Sequence, residues 1–129
     1  MNINLEKKLI EKFIIKEKKE RYLTFIEKEK TRKKFLNELY HFKDFNWSLF
    51  EKIPGNEQEG ERILSKLNEK KNITSCYVIS VDENFDGKTY SLKDAIEQIV
   101  WIEGTIKVFG EADIVYYEGE APDRRFISK

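Results

Sequence analysis

The sequence predicts an α+β fold in which helices come first and strands follow. Residues 1–53 contain no proline or glycine, and their apolar side chains recur at steps of three and four, the spacing of an amphipathic helix. Short runs rich in β-branched and aromatic residues gather after residue 75. Strands that follow helices favour α+β over an alternating parallel fold. We expect N-terminal amphipathic helices packed with a small, largely antiparallel sheet of three or four strands, and one helix in the C-terminal half.

The length of 129 residues predicts a single domain spanning 1–129. Its charges cancel in total, with 24 basic and 24 acidic side chains, but they are unevenly placed. Residues 1–45 hold 13 basic and 8 acidic side chains, whereas residues 46–129 hold 11 and 16. This asymmetry indicates either a surface for an electrostatic partner or two oppositely charged parts that dock on each other.

The N-terminal segment predicts helices with two apolar stripes. A break is expected near Lys28 to Lys30, because Thr31 can act as the N-cap of the second helix. The stripe residues are Leu5, Leu9, Phe13, Ile14, Tyr22, Phe25 and Ile26, then Phe35, Leu36, Leu39 and Tyr40. Residues 41–60 predict an irregular connection with a turn at Pro54, and residues 61–70 predict a short helix.

The C-terminal half predicts strands around one helix. CYVISV predicts a strand, TIKVFGEADIVYYEG a hairpin and RRFIS a last short strand. The helix should span residues 91–103, since Ser91 can act as its N-cap and Gly104 follows its end. The strand residues expected to face the core are Tyr77, Ile79, Ile106, Val108, Val115 and Phe126.

The stretch DENFDG, residues 82–87, matches the opening of an EF-hand calcium loop. The twelfth position of that loop should be a glutamate but is Lys93, and the preceding segment predicts a strand where the motif requires a helix. We therefore expect a turn that joins a strand to its helix. In it Asp82, Asn84 and Asp86 bond nearby backbone amides and Gly87 accepts a positive φ. No metal site is predicted.

The sequence favours binding over catalysis, and no cofactor is expected. The single cysteine and single histidine, Cys76 and His41, lie in no nucleophile motif and cannot fill a zinc site. No glycine-rich phosphate loop occurs. The cluster most typical of an enzyme comprises Glu118, Glu120, Asp123, Arg124 and Arg125. These charges can perform acid–base work or clamp an anion, or they can form exposed ion pairs on a turn.

Two surfaces are candidates for binding a macromolecule. The first is the aromatic segment 42–50, which contains Phe45, Trp47 and Phe50. Trp47 is the expected anchor because tryptophan is enriched in binding hot spots, although a core tryptophan beneath a loop has the same sequence pattern. The second is a basic helical surface that includes Arg21, Arg32, Lys33 and Lys34. Another protein is the expected partner, nucleic acid is the alternative, and the oligomeric state is open.

A series of short motifs resembles a family of small uncharacterised bacterial proteins. The motifs are KTRKKFLNELYHF, CYVIS, the dipeptide DG, SLKDAIEQI, the dipeptide GT and YYEGE, in that order. The family has no assigned activity, so the resemblance implies no catalytic residue. Similar proteins read GYGMGT and a proline-glycine turn where this chain reads VWIEGT and FGEAD, so no role of that loop is carried over.

The compartment predicted from the sequence is the bacterial cytoplasm, without membrane association. Apolar runs such as residues 99–102 fall far short of the roughly 18 to 20 residues that span a bilayer. A single cysteine cannot form an internal disulfide, which suits a reducing interior. The expected function is a non-catalytic protein-interaction module of an inhibitor, immunity-like or regulatory kind. The alternative is RNA or DNA binding through the basic helical surface, which the pI of about 6.6 and the interspersed glutamates disfavour.

Overall fold

The computed structural model describes residues 1–70, 72–120 and 124–129, which form five α-helices and one sheet. This confirms the predicted α+β class. The helices are α1 (Ile3–Phe13), α2 (Lys19–Phe25), α3 (Glu29–Asn37), α4 (Glu59–Glu69) and α5 (Leu92–Glu97). The strands are β1 (Phe50–Lys52), β2 (Ser75–Ser80), β3 (Lys88–Ser91), β4 (Thr105–Phe109), β5 (Ile114–Glu118) and β6 (Arg125–Ser128). Among these residues, no helix has the length and apolar character needed to cross a bilayer.

The sheet of the described residues has six strands, so the prediction of three or four strands was wrong. The strand order is β1-β6-β5-β4-β2-β3, and every neighbouring pair is antiparallel. The four inner strands are the ones that the sequence predicted. The two edge strands, β1 and β3, were missed because they have only three and four residues and mostly polar side chains.

The N-terminal helical segment is divided after α1 by pairing with a distant segment. Ile14 adopts an extended conformation, with φ −85° and ψ 146°, and forms a bridge with Phe45. The backbone N–H of Ile15 donates to the carbonyl of Asp44 at 2.8 Å. These contacts replace the next turn of helix, and apolar spacing within residues 1–53 gives no sign of them.

The second N-terminal stripe begins near the predicted break, since α3 starts at Glu29. Thr31 is not the N-cap, however, because Lys28 holds that position. The Thr31 hydroxyl instead donates to the carbonyl of Phe25 at 2.7 Å and so ties α3 back to the end of α2.

Both faces of the sheet are covered. The face against the N-terminal helices buries five of the six predicted core residues, and the sixth, Phe126, is half-buried against the same core. The opposite face, which includes Cys76, Val78 and Tyr116, packs against α4 and α5. Strands buried on both faces explain why CYVIS is apolar almost throughout, without the alternation of a half-exposed strand.

A buried ionic contact joins α1, α3 and the loop after β2. The Arg32 side chain is 3% exposed, and its guanidinium donates to both oxygens of Glu6, each at 2.9 Å. The same guanidinium donates to both oxygens of Asp86, at 2.5 and 2.9 Å. Burial alone lowers the pKa of Arg32, but the hydrogen bonds to Asp86 and Glu6 outweigh it, so the pKa is raised. Tyr77 extends the contact by donating to Glu6 at 2.5 Å.

The two oppositely charged parts of the chain also meet at the surface. Lys8 Nζ lies 2.5 Å from Glu111 Oε2, and His41 Nε2 lies 2.6 Å from Glu120 Oε2. Exposed pairs of this kind stabilise little by themselves. Together with the buried pair they show that part of the charge asymmetry is used for docking within the chain.

Replacing Arg32 with Met should lower the free energy of unfolding by about 3 to 5 kcal/mol. The substitution leaves Glu6 and Asp86 without their cation, and removing one partner of a buried ion pair is strongly destabilising. Urea denaturation followed by circular dichroism measures the change. Lys33→Met is the matched control, because Lys33 is exposed on the same helix and its replacement should change stability by no more than about 0.5 kcal/mol. Equal effects of the two substitutions would contradict the role given to Arg32.

Candidate interaction surface

The aromatic side chains expected to bind a partner are buried or half-buried in the fold. Phe45 and Phe50 are buried in the core beneath the N-terminal helices. Trp47 is half-buried, its ring centroid lies 4.6 Å from that of Phe126, and its Nε1 donates to the carbonyl of Lys43 at 3.1 Å. Trp47 therefore packs against the core while part of its side chain remains at the surface, and its role as an anchor stays a prediction.

The predicted basic surface is only partly at the surface. Arg32 is buried in the contact described above, and Arg21 pairs with Glu38 at 3.0 Å. Lys33 and Lys34 are exposed, and Lys34 Nζ lies 5.8 Å from the ring centroid of Phe25. The two lysines therefore remain accessible. The guanidinium of Arg32, which could have made a bidentate phosphate contact, is not accessible.

The charged cluster near the C-terminus is divided between the two faces of the sheet. Glu118 and Arg125 are register partners on β5 and β6, and both are buried. Arg124 donates to a backbone carbonyl in the N-terminal segment at 3.0 Å. Glu120 is exposed, and Asp123 lies outside the described residues. The described members of the cluster are thus not gathered around one point where a substrate could react.

The fold changes the acidity of Glu118. Burial raises the pKa of Glu118, although the Tyr116 hydroxyl, which donates to its Oε1 at 2.9 Å, acts in the opposite direction. The guanidinium of Arg125 donates to the carbonyls of Pro54 and Glu57, at 2.8 and 3.0 Å. These bonds fix the connection between β1 and α4 onto the sheet, which is a structural task.

The DENFDG loop joins β2 to β3, so the prediction that it joins a strand directly to a helix was wrong. Two of the three polar side chains make the expected turn contacts: Asp82 Oδ1 accepts from the N–H of Asn84, and Asp86 Oδ1 from that of Ser80, each at 3.0 Å. Gly87 has φ +73°. Within the described part of the chain, no group of three or more His, Cys, Asp or Glu side chains is placed to hold a metal ion.

The single cysteine and the single histidine lie in different surroundings. Cys76 is fully buried on the sheet face that α4 and α5 cover, whereas His41 is exposed beside Glu120. Burial raises the pKa of the Cys76 thiol to about 12, and the nearby Lys107 offsets this only in part. A thiol with that pKa is almost entirely protonated at neutral pH and is a poor nucleophile.

We expect the Cys76 thiol to resist modification by a disulfide reagent at pH 8 until the protein unfolds. The thiolate is the reactive form, and burial both excludes the reagent and raises the pKa. Because the folded pKa lies above the ordinary value of 9.0, the thiol contributes stability below about pH 9 and loses that contribution as the pH rises toward 12. The rate of thiol modification is measured from the coloured thiolate that the reagent releases, with and without urea. Rapid reaction of the native protein would contradict the buried position.

An exposed aromatic cleft lies at one end of the sheet, in a part of the molecule that no sequence pattern indicated as a site. Trp101 is 57% exposed and Tyr40 is 41% exposed. They line a cleft of about 440 Å³, whose remaining walls are Val81, Asp82, Ile102 and Glu103. Large aromatic side chains exposed together are unusual on a soluble domain and are typical of binding surfaces.

Trp101 is held outward by its backbone. Its φ is +60°, a left-handed conformation that costs a residue with a β-carbon about 1 to 2 kcal/mol. Helix α5 ends at Glu97, six residues before the predicted end, and the chain then turns so that Ile99 is buried while Trp101 is not. Strained backbone of this kind is commonest at functional sites. The guanidinium carbon of Arg125 lies 5.3 Å from the indole ring and supports it from the protein side.

Gly104 allows the other walls of the cleft to approach. Its φ is +68°, and a β-carbon at this position would lie 2.8 Å from a methyl group of Val81 and 3.3 Å from Cε1 of Tyr40. The carbonyl of Tyr40 also accepts from the N–H of Glu120 at 2.8 Å. Residues from the N-terminal segment, from the loop after β2 and from the turn before β4 therefore meet at one place.

Comparisons with known proteins do not identify a relative. No family model, no curated protein and no solved structure matches the chain. The resemblance to a bacterial family therefore remains a prediction, and the cleft has to be interpreted from its own geometry.

The cleft was missed because its two aromatic residues were assigned to apolar stripes or passed over. Tyr40 was expected to face the core with Leu39, but it lies in a single 3₁₀ turn and is exposed. Trp101 was placed inside the predicted helix 91–103, one residue beyond the apolar stripe of that helix, which comprises Leu92, Ala95, Ile96, Ile99 and Val100. A tryptophan off the stripe and shortly before a glycine was the one signal in the sequence that could have indicated an exposed ring.

The two tryptophans should differ sharply in their effect on stability. Trp47→Ala should lower the free energy of unfolding by about 3 kcal/mol, since it removes a large side chain from an aromatic core. Trp101→Ala should lower it by about 1 kcal/mol or less, because the ring is mostly exposed and loses chiefly its contact with Arg125. Urea denaturation of both variants measures the difference. A loss for Trp101→Ala as large as that for Trp47→Ala would show that Trp101 serves the core.

Proposed function

We propose that the protein is a non-catalytic interaction module that docks another protein onto the cleft between Tyr40 and Trp101. The observation that carries the proposal is the exposed indole of Trp101, held outward by a left-handed backbone. Tryptophan is among the residues that contribute most to binding when a partner covers them. Phe45 is buried and Trp47 is half-buried, whereas Trp101 is mostly exposed, which supports moving the anchor from the segment 42–50 to this cleft.

The proposed kind of module is an inhibitor, immunity-like or regulatory protein of a bacterial cytoplasm. The free thiol of Cys76 is compatible with a reducing compartment. A binding role agrees with the division of the C-terminal charged cluster, whose described members serve structural contacts. Nucleic acid binding by the exposed lysines of α3 is the rival proposal. It has weaker support, because Arg32 is buried and Arg21 is paired.

Trp101→Ala and Tyr40→Ala should each weaken capture of the natural partner while leaving the protein folded. The full-length tagged chain is used to capture proteins from lysate of the source organism, with nuclease treatment. The captured protein is then purified, and its affinity is measured by calorimetry. A hot-spot residue predicts a loss of at least about 30-fold for Trp101→Ala. Leu64→Ala is the matched control, because Leu64 is an exposed apolar residue on α4, outside the cleft, and its replacement should not change the affinity.

Several outcomes of this experiment would contradict the proposal. They are a partner retained at full affinity by both cleft variants, capture that disappears on nuclease treatment, and failure to capture any partner. Sedimentation of the protein alone gives a further check. A dimer that is lost in Trp101→Ala would show that a second copy of the chain occupies the cleft.

A further inference from the structure

The chemistry of the cleft indicates which side chain of the partner it receives, an inference that rests on the proposed function. Two of its six lining residues, Asp82 and Glu103, carry carboxylates, and none of the six is basic. Glu83 follows Asp82 in the chain and is exposed. A concave surface with one sign of charge attracts the opposite charge, so a cationic side chain is favoured over a neutral or anionic one.

The aromatic walls favour the same kind of ligand. The faces of tryptophan and tyrosine rings attract cations, and arginine is found there more often than lysine. The guanidinium of Arg125 already contacts the Trp101 ring from the protein side, so the exposed part of the ring is what an incoming guanidinium would contact. Because a guanidinium is planar and weakly hydrated, it can stack on a ring and bond a carboxylate at the same time.

The carboxylates of the cleft can accept further hydrogen bonds from such a ligand. Asp82 uses Oδ1 for the N–H of Asn84, and the salt bridges between described residues do not include Asp82 or Glu103. By contrast, the carboxylates around Arg32 are fully engaged by that guanidinium. An incoming arginine would therefore find acceptors in this cleft without breaking an internal ion pair.

We infer that the cleft is a recognition site for an arginine side chain on the partner protein. The guanidinium lies between Tyr40 and Trp101, and Asp82 and Glu103 balance its charge. The partner surface is accordingly basic at the point of contact, and the tryptophan supplies both apolar area and attraction for the cation.

The test uses a short glycine peptide with one central arginine, blocked at both ends. Nuclear magnetic resonance of the ¹⁵N-labelled full chain follows the indole N–H signal of Trp101, which is assigned by its absence from Trp101→Ala. The matched peptide carries citrulline, a neutral side chain of nearly the same shape. We expect the arginine peptide to shift the Trp101 signal, and the citrulline peptide to bind at least about tenfold more weakly at about 0.15 M salt.

The carboxylates are tested with the double variant Asp82→Asn, Glu103→Gln. It should bind the arginine peptide at least about fivefold more weakly than the original protein. Glu97→Gln is the control, because Glu97 is exposed on α5 but does not line the cleft, and its affinity should be unchanged. Circular dichroism checks that each variant is folded.

The inference is overturned by any of four results. These are no shift of the Trp101 signal, equal binding of the arginine and citrulline peptides, unchanged affinity of the double variant, or tighter binding of a lysine peptide than of the arginine peptide. If partner capture still depends on Trp101, such a result removes the arginine assignment and leaves the proposed function standing. If capture does not depend on Trp101, the proposed function fails by itself.

Discussion

The arrangement of the N-terminal helices depends on the guanidinium of Arg32, held between Glu6 and Asp86. Hydrophobic packing holds α1 and α3 on the sheet, but apolar contacts are not directional. Two bidentate carboxylate contacts to one planar group allow only a narrow range of positions. Since a buried charge without a partner is strongly unfavourable, this contact ties both helices to the loop after β2. The same loop continues into one wall of the cleft.

The opposite face of the sheet has a corresponding buried cation, Lys107 on β4. Its Nζ donates to Glu59 at the start of α4 and to the carbonyl of Ala95 in α5, each at 3.0 Å, and also to the carbonyl of Ile99. These carbonyls belong to the end of α5 and the turn after it, where helical partners are lacking. The lysine therefore stabilises an early end of the helix. The turn that follows places Trp101 outside, so the exposed ring depends on a charge buried in the core.

The proposed function follows from a contrast between side chains that make contacts within the fold and side chains that remain available to a partner. The aromatic residues of segment 42–50 pack among themselves, and the charged residues near the C-terminus fix loops or pair with neighbours. The cleft at the end of the sheet differs, because its rings are exposed and its carboxylates are not part of the ion pairs of the described residues. The bacterial interaction module proposed here thus uses a small surface that the fold leaves open, supported by a framework whose other polar groups are occupied.

The sequence by itself determined the α+β class, the four inner strands, the N-cap at Ser91 and the hairpin around Gly110, because each of these depends on spacing or turn chemistry within a few residues. Only the tertiary structure decided the edge strands, the end of α5 and the burial of Arg32. The edge strand β1 and the buried Arg32 depend on partners 26 or more residues away, β3 depends on its pairing with β2, and the end of α5 depends on the Lys107 side chain reaching it from β4. A charged residue in a helical pattern is predicted to be exposed unless its tertiary partners are known. A tryptophan is predicted to lie in the core unless its backbone conformation is known. The candidate cleft could therefore not be predicted from the sequence, since three separated segments meet to form it.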